Sequence, residues 1–237
     1  MAETLTAHFG AGGDAPYDIA LRNGGGMLRL IELGADRGRR VELGRFLSVA
    51  DAADDSVIAR ARGPVLDVGC GPGRILHAAI AAGHLGLGVD VSLTAVEYAR
   101  EQGLPVLHRS VFDPLPQEGA WETVLLLDGN IGIGGAPEHL LRRCARLIAA
   151  GGRIIVEVDS SPWHDRGYQA RIVDVDGRTS SPFPWYDIGA QALAVRLRGT
   201  GLHVDEAWTV AGRAFARISP LAGGAGAAAP AGGAVAR

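Results

Sequence analysis

VLDVGCGPGRI, residues 65–75, decides how the rest of the chain is read. A short apolar run ends in three glycines, Gly69, Gly71 and Gly73, and the pattern turns apolar again after Arg74. That composition predicts a strand, a tight turn and a helix. Glycine lets the chain turn sharply and lets another group come close to the backbone. The start of the helix presents free N–H groups suited to a carboxylate or phosphate. A ligand held against this loop is therefore the first expectation.

Downstream, apolar runs and helical periods alternate. RILHAAIAAG (74–83) predicts a helix closed by Gly83, and LGLGVDVS (85–92) a second strand. LTAVEYAREQG (93–103) predicts a helix starting near Ser92 or Thr94. PVLHRSVFD (105–113) is a third strand, and WETVLLLDGN (121–130) a fourth whose solid apolar run suits burial on both faces. APEHLLRRCARLIAAGG (136–152) reads as a helix and RIIVEVD (153–159) as a fifth strand. This order predicts a doubly wound α/β fold with a mostly parallel sheet.

The alternation stops at both ends. YQARIVDVDGRTSSPFPWYDI (168–188) predicts a hairpin turning at Asp176 and Gly177, and ALAVRLRGTG (192–201) a helix. LHVDEAWTVAGRAFARI (202–218) predicts a terminal antiparallel hairpin joined at Ala211 and Gly212. Upstream, residues 27–47 alternate around Asp36, Arg37 and Gly38 as a hairpin. Residues 45–61 place Phe46, Val49, Ala53 and Val57 at helical spacing. Residues 1–15 are expected to be flexible and the Gly/Ala-rich tail 220–237 disordered, leaving one domain over 16–219. Its core covers about 64–219, with the hairpin at 167–188 as a cap.

The 237 residues suffice for one substantial core. A net charge of -3 and the lack of a basic cluster argue against a nucleic-acid partner. No lysine occurs, which excludes Schiff-base chemistry by a lysine. Cys70 and Cys144 cannot make a disulfide framework or a zinc site alone, and no metal site is expected. No signal pattern or membrane-length apolar run is visible, so a cytoplasmic protein without membrane attachment is expected. Oligomeric state is not legible.

Two nucleotide readings of the loop fail. A dinucleotide fingerprint needs glycine where Arg74 stands, and a phosphate loop needs a lysine. VLDVGCGPGR instead resembles motif I of the class I S-adenosylmethionine-dependent methyltransferases. GVDVS, with Asp90 at the end of its strand, SVFD, LLLDGNIGIGG and LIAAGGRIIVEV extend the resemblance over roughly 64–160. It implies a seven-stranded sheet, S-adenosylmethionine as cofactor and S-adenosylhomocysteine as product. It also implies that Asp90 holds the ribose, that Asp113 holds the adenine amino group, and that residues near 128–130 lie beside the transferring methyl.

The expected cofactor set is Asp67, Gly69, Cys70, Gly71, Gly73, Asp90, Val91, Phe112, Asp113, Asp128 and Asn130. Asp67 would bind the cofactor's amino group or hold the loop. Asp128 and His164 are the candidate catalytic residues. Trp163, His164, Trp185 and Tyr186 are the candidate substrate contacts, the aromatics forming a wall on the cap hairpin. Tyr17 and His8 are candidates to close over the cofactor. The lack of an Asn/Asp-Pro-Pro-Tyr/Phe motif favours a small-molecule acceptor over nucleic acid. The alternatives are an NAD(P)-binding oxidoreductase and a non-catalytic S-adenosylmethionine-binding protein.

Overall fold

In the computed structural model, the described residues are Phe9, 15–35 and 38–221. The expectations for His8, for the turn residues Asp36 and Arg37, for most of the N-terminus and for 222–237 lie outside them. In chain order the elements are α1 (Pro16–Arg22), β1 (Met27–Glu32), β2 (Gly38–Glu42), α2 (Leu43–Phe46), α3 (Ala52–Ile58), β3 (Val65–Val68), α4 (Arg74–Ala81) and β4 (Gly86–Asp90). Next come α5 (Leu93–Glu101), β5 (Val106–His108), β6 (Trp121–Leu126), a 3-10 segment (Asn130–Gly135), α6 (Pro137–Leu147) and β7 (Ile148–Val158). The chain continues through β8 (Asp165–Asp174), β9 (Phe183–Ile188), α7 (Ala190–Arg196), β10 (Leu202–Val210) and β11 (Arg213–Pro220).

Seven strands form the main sheet in the order β10-β11-β7-β6-β3-β4-β5. β5, β4, β3, β6 and β7 run parallel, and β11 joins β7 antiparallel. Chain order reverses between β3 and β6, so ligands are expected beyond the carboxyl ends of these central strands. The sheet is covered on both faces. Leu66, Val68, Val124, Leu126 and Val156 pack toward α6 and α7, with Leu140, Cys144 and Leu193. Val65, Leu125, Ile155 and Phe215 pack on the other face against Val57, Ile75 and Ala79 of α3 and α4. Successive residues of a strand point to opposite faces, so a strand buried on both is apolar throughout.

The two upstream and inserted hairpins are parts of one structure. β1 pairs with β2 and also with β8, giving a second antiparallel sheet of order β2-β1-β8-β9. Its inner face carries Leu28, Leu30, Ala170, Ile172, Phe183 and Trp185, which pack on Tyr17 and Leu21 of α1.

The expected helix over 45–61 is broken. Asp51 accepts hydrogen bonds from the N–H groups of Ala53 and Asp54, and Asp54 reciprocates to Asp51 N–H, a capping box that starts α3 afresh. Val49 falls in the break and is 87% exposed rather than on an apolar face. The expected helix over 136–152 ends at Leu147, where extended backbone begins β7 early.

Candidate active site

The glycine loop is fixed from three sides. Gly69 and Cys70 donate to Val89 O, at 2.8 and 3.2 Å. Gly71 N–H donates to Asp90 Oδ2 at 2.7 Å, while Asp90 Oδ1 accepts from Ser92 N–H at 2.8 Å. Asp90 thereby ties the loop to the start of α5, which Ser92 caps. Asn130 Nδ2 donates to Val68 O and Gly69 O, each at 2.9 Å, clamping the loop to the segment after β6. Gly71 has φ 54°, a left-handed conformation costly for other residues. A Cβ there would lie 3.4 Å from Tyr17 Oη, so α1 crosses directly over the loop.

Asp67 is 2% exposed, and its Oδ2 has no hydrogen-bond partner among the described residues. Burial pushes its pKa up to about 8, with the nearby charges of Asp128 and Asp90 adding to the shift. A buried carboxylate with an orphaned oxygen fits a cationic ligand group placed beside it. Tyr17 lies well above the usual phenol range, first through burial and then through Asp90, so its hydroxyl stays protonated.

Cys70 sits in the loop, but its side chain does not face the loop's open side. It packs with Leu76, Val96 and Ala99, and a Cβ on Gly88 would lie 2.6 Å from its Sγ. Burial raises its thiol well above the usual range, so it is an inert core residue. Any part it takes in the expected cofactor set is left to its backbone.

Beyond β4 and β5, Val91 O lies 3.0 Å from His108 Nε2. Phe112 is 39% exposed and stacks on His139 at 5.1 Å between centroids. Asp113 is exposed, and its Oδ2 accepts from Ser110 N–H at 3.2 Å. Arg143 braces the same turn by donating to Val111 O and Asp113 O.

Asp128 follows β6 with φ 55° and Gly129 with φ 89°, which turns the chain sharply into the 3-10 segment. Its carboxylate is not poised as a base. Arg74 Nη2 donates to both oxygens, at 2.9 and 2.7 Å, and Arg45 and Arg213 lie 3.2 and 3.3 Å away. Arg74 also pairs with the fully buried Asp54, and Arg213 bridges Asp54 and Glu157. Burial opposes the charge on Glu157, yet hydrogen bonds from Arg213 hold its pKa below the usual range. Guanidinium groups occupy both Asp128 oxygens, an arrangement that fits a positioning role rather than the expected catalytic one. The sequence carried one hint of this network: Arg74 opens α4, where the helix dipole disfavours a cation unless a carboxylate compensates.

On its other side Asp128 lines a pocket of about 310 Å³. β2 and α2 supply Arg39, Val41 and Arg45; the ends of β6, β7 and β9 supply Gly129, Glu157 and Ile188. The pocket and the glycine loop thus meet at residues 128–131, where Asn130 bonds the loop and Ile131 lines the pocket.

The four expected acceptor contacts are not brought together. Trp163 is 70% exposed, and neither it nor His164 lines this pocket. Trp185 and Tyr186 do not share a wall, because adjacent strand residues point to opposite faces. Trp185 is 3% exposed in the core beneath the second sheet, 5.5 Å from Phe9. Tyr186 donates to Asp165 at 2.6 Å beside Arg196. Burial and that bond push the Tyr186 pKa up to about 12.

A family model described as a methyltransferase domain matches residues 65–152. The chain is 35% identical over 99 residues to a ubiquinone biosynthesis O-methyltransferase of Caulobacter sp. (strain K31), a match covering 39% of each protein. Among solved structures it resembles an S-adenosylmethionine-dependent methyltransferase from Bacteroides fragilis in complex with S-adenosyl-L-homocysteine. That likeness has a TM-score of 0.71 at 21% identity, over 86% of this chain and 91% of that one. It also resembles Burkholderia thailandensis 1,6-didemethyltoxoflavin-N1-methyltransferase, solved with 1,6-didemethyltoxoflavin and S-adenosylhomocysteine. There the TM-score is 0.51 at 18% identity, over 71% and 78% of the two chains.

Proposed function

We propose that this chain, which has the class I methyltransferase fold and a methyltransferase domain over 65–152, uses S-adenosylmethionine to methylate a small-molecule acceptor. The observation that carries the cofactor site is the buried, orphaned Asp67 oxygen beside a glycine loop that Asp90 ties down. Asp67 would pair with the cofactor's amino group, Asp90 with its ribose, and the Phe112–Asp113 turn with its adenine. Gly71 leaves room along the backbone, Gly69 and Gly73 let Asn130 and Leu104 pack against the loop, Val91 contributes main chain, and Asn130 fixes the loop. Tyr17 covers the loop and offers a hydroxyl proton.

S-adenosylmethionine, when bound, supplies a methyl group already activated by the sulfonium charge. The residues have mainly to align the acceptor and exclude water, and such positioning can supply roughly 7–11 kcal/mol. α1 and the second sheet cover the carboxyl ends of β3 and β6, as that task requires. Asp128, saturated by arginines, holds the segment between loop and pocket rather than taking a proton. A dinucleotide oxidoreductase is disfavoured on a further ground. Arg74 stands at its third glycine and is committed to Asp54 and Asp128. The ubiquinone and toxoflavin methyltransferases among the similar proteins support a small organic acceptor.

The test is product formation. The protein is incubated with S-adenosylmethionine and a panel of metabolites, and products one methyl heavier are sought by mass spectrometry. A methylated metabolite that needs active protein is the expected result. Cofactor binding with no methylated metabolite would leave a non-catalytic binding protein.

A further inference from the structure

We propose that the pocket beside Gly129 takes an acceptor carrying a carboxylate-type anion on an apolar body, with the Arg39 guanidinium as the anchor. The proposal rests on the methyltransferase reading and names the substrate class of that same site. Arg39 pairs across the strands with Leu30, which is buried on the inner face of the second sheet. Its side chain reaches over Gly129, where a Cβ would lie 2.7 Å from Nη2. The Arg39 guanidinium, on an exposed residue, makes no hydrogen bond or ion pair with any described residue. A second donor is unused nearby. Arg45 Nη2 is buried, and although it lies 3.2 Å from Asp128 Oδ1 it makes no hydrogen bond.

Four of the pocket's five carboxylates are already engaged and do not call for a cationic ligand, and the fifth, Glu42, is exposed to solvent. Asp128 and Glu157 are compensated by Arg74 and Arg213. Asp187 accepts from Tyr168 Oη at 2.6 Å, and Asp159 from Ser161 N–H at 2.7 Å. A guanidinium fork matches a carboxylate in a bidentate geometry, which fixes orientation as well as charge. Val41, Phe46, Ile131 and Ile188 form the apolar part of the lining. A cavity of about 310 Å³ suits a body of one ring rather than a polymer. The anion is an anchor, and the methyl goes to another atom of the acceptor, nearer residues 128–131.

Benzoate, benzamide and benzylamine separate the possibilities by charge at nearly constant shape. Each is titrated into the protein saturated with S-adenosylhomocysteine, with binding followed by ligand-observed NMR. Benzoate should bind best, and Arg39→Gln should weaken it by roughly tenfold to a hundredfold, the range for a lost charged hydrogen bond. Arg39→Lys should retain part of the affinity. S-adenosylhomocysteine affinity should stay the same in both variants, since Arg39 lies on the pocket side. Benzoate binding no better than benzamide, or unchanged by Arg39→Gln, overturns the proposal, as does a preference for benzylamine. Failure of S-adenosylhomocysteine itself to bind the native protein would instead overturn the methyltransferase reading.

Discussion

Asp67 carries the sharpest consequence at the scale of a single residue. Its pKa is raised to about 8 by burial, so in the ligand-free protein it holds a proton near neutrality. A carboxyl whose folded pKa is raised favours the folded state below its ordinary range, and that contribution is lost as pH rises toward about 8. A cofactor amino group beside it favours the carboxylate, so binding releases the proton. S-adenosylhomocysteine affinity should therefore increase between about pH 6 and pH 8 and then level off. Asp67→Asn should bind more weakly and lose that slope; calorimetric titrations at several pH values check both. The pattern of GVDVS put Asp90 at a strand end, and its ribose role came only from the family resemblance. Its second task, holding Gly71 N–H, was not legible, since that bond spans 19 residues of chain and depends on the parallel register of β3 and β4. Asp90→Ala should weaken S-adenosylhomocysteine binding more than a ribose contact alone would, because the loop is released as well.

Among the elements, the helices and strands of the main sheet were readable from period and glycine punctuation, because each closes its own backbone bonds locally or beside a close neighbour. The misreadings came from bonds that compete with periodicity. The capping box at Asp51 and Asp54 overrides a helical spacing that runs through Val49. The network of Asp54, Arg74, Asp128, Glu157 and Arg213 joins α3, α4, β7, β11 and the turn after β6, so no local pattern reports it. Removing one member leaves buried guanidinium groups without their counter-charge. Asp54→Asn, which keeps the shape, should cost about 3–5 kcal/mol in a urea unfolding experiment. Trp185 belongs to the same lesson. It was expected to line the acceptor site, and it packs in the core under the second sheet. Trp185→Ala should destabilise the protein by about 3–5 kcal/mol, rather than slow turnover in an otherwise intact fold.

For the whole molecule, the parallel sheet was foreseeable and the second sheet was not. Its two hairpins lie far apart in the chain, and β1 pairs with β8 through a register that nothing local specifies. That pairing brings β2 over the ends of β6 and β7 and creates the pocket, so Arg39 and Arg45 could not be recognised as pocket residues from their own neighbourhood. The same assembly sets α1 across the glycine loop and places Tyr17 beside Gly71. The proposed cofactor and acceptor sites then meet at residues 128–131. The central claim is that the glycine loop is the cofactor site. Calorimetric titration of S-adenosylhomocysteine into the native protein and Gly71→Val tests it directly, with circular dichroism confirming that the variant keeps the fold. A branched side chain at a left-handed position under Tyr17 would fill the space beside the loop. The account predicts one-to-one binding to the native protein and none to a folded Gly71→Val. Equal affinity in the two proteins, or no binding to the native one, would contradict it.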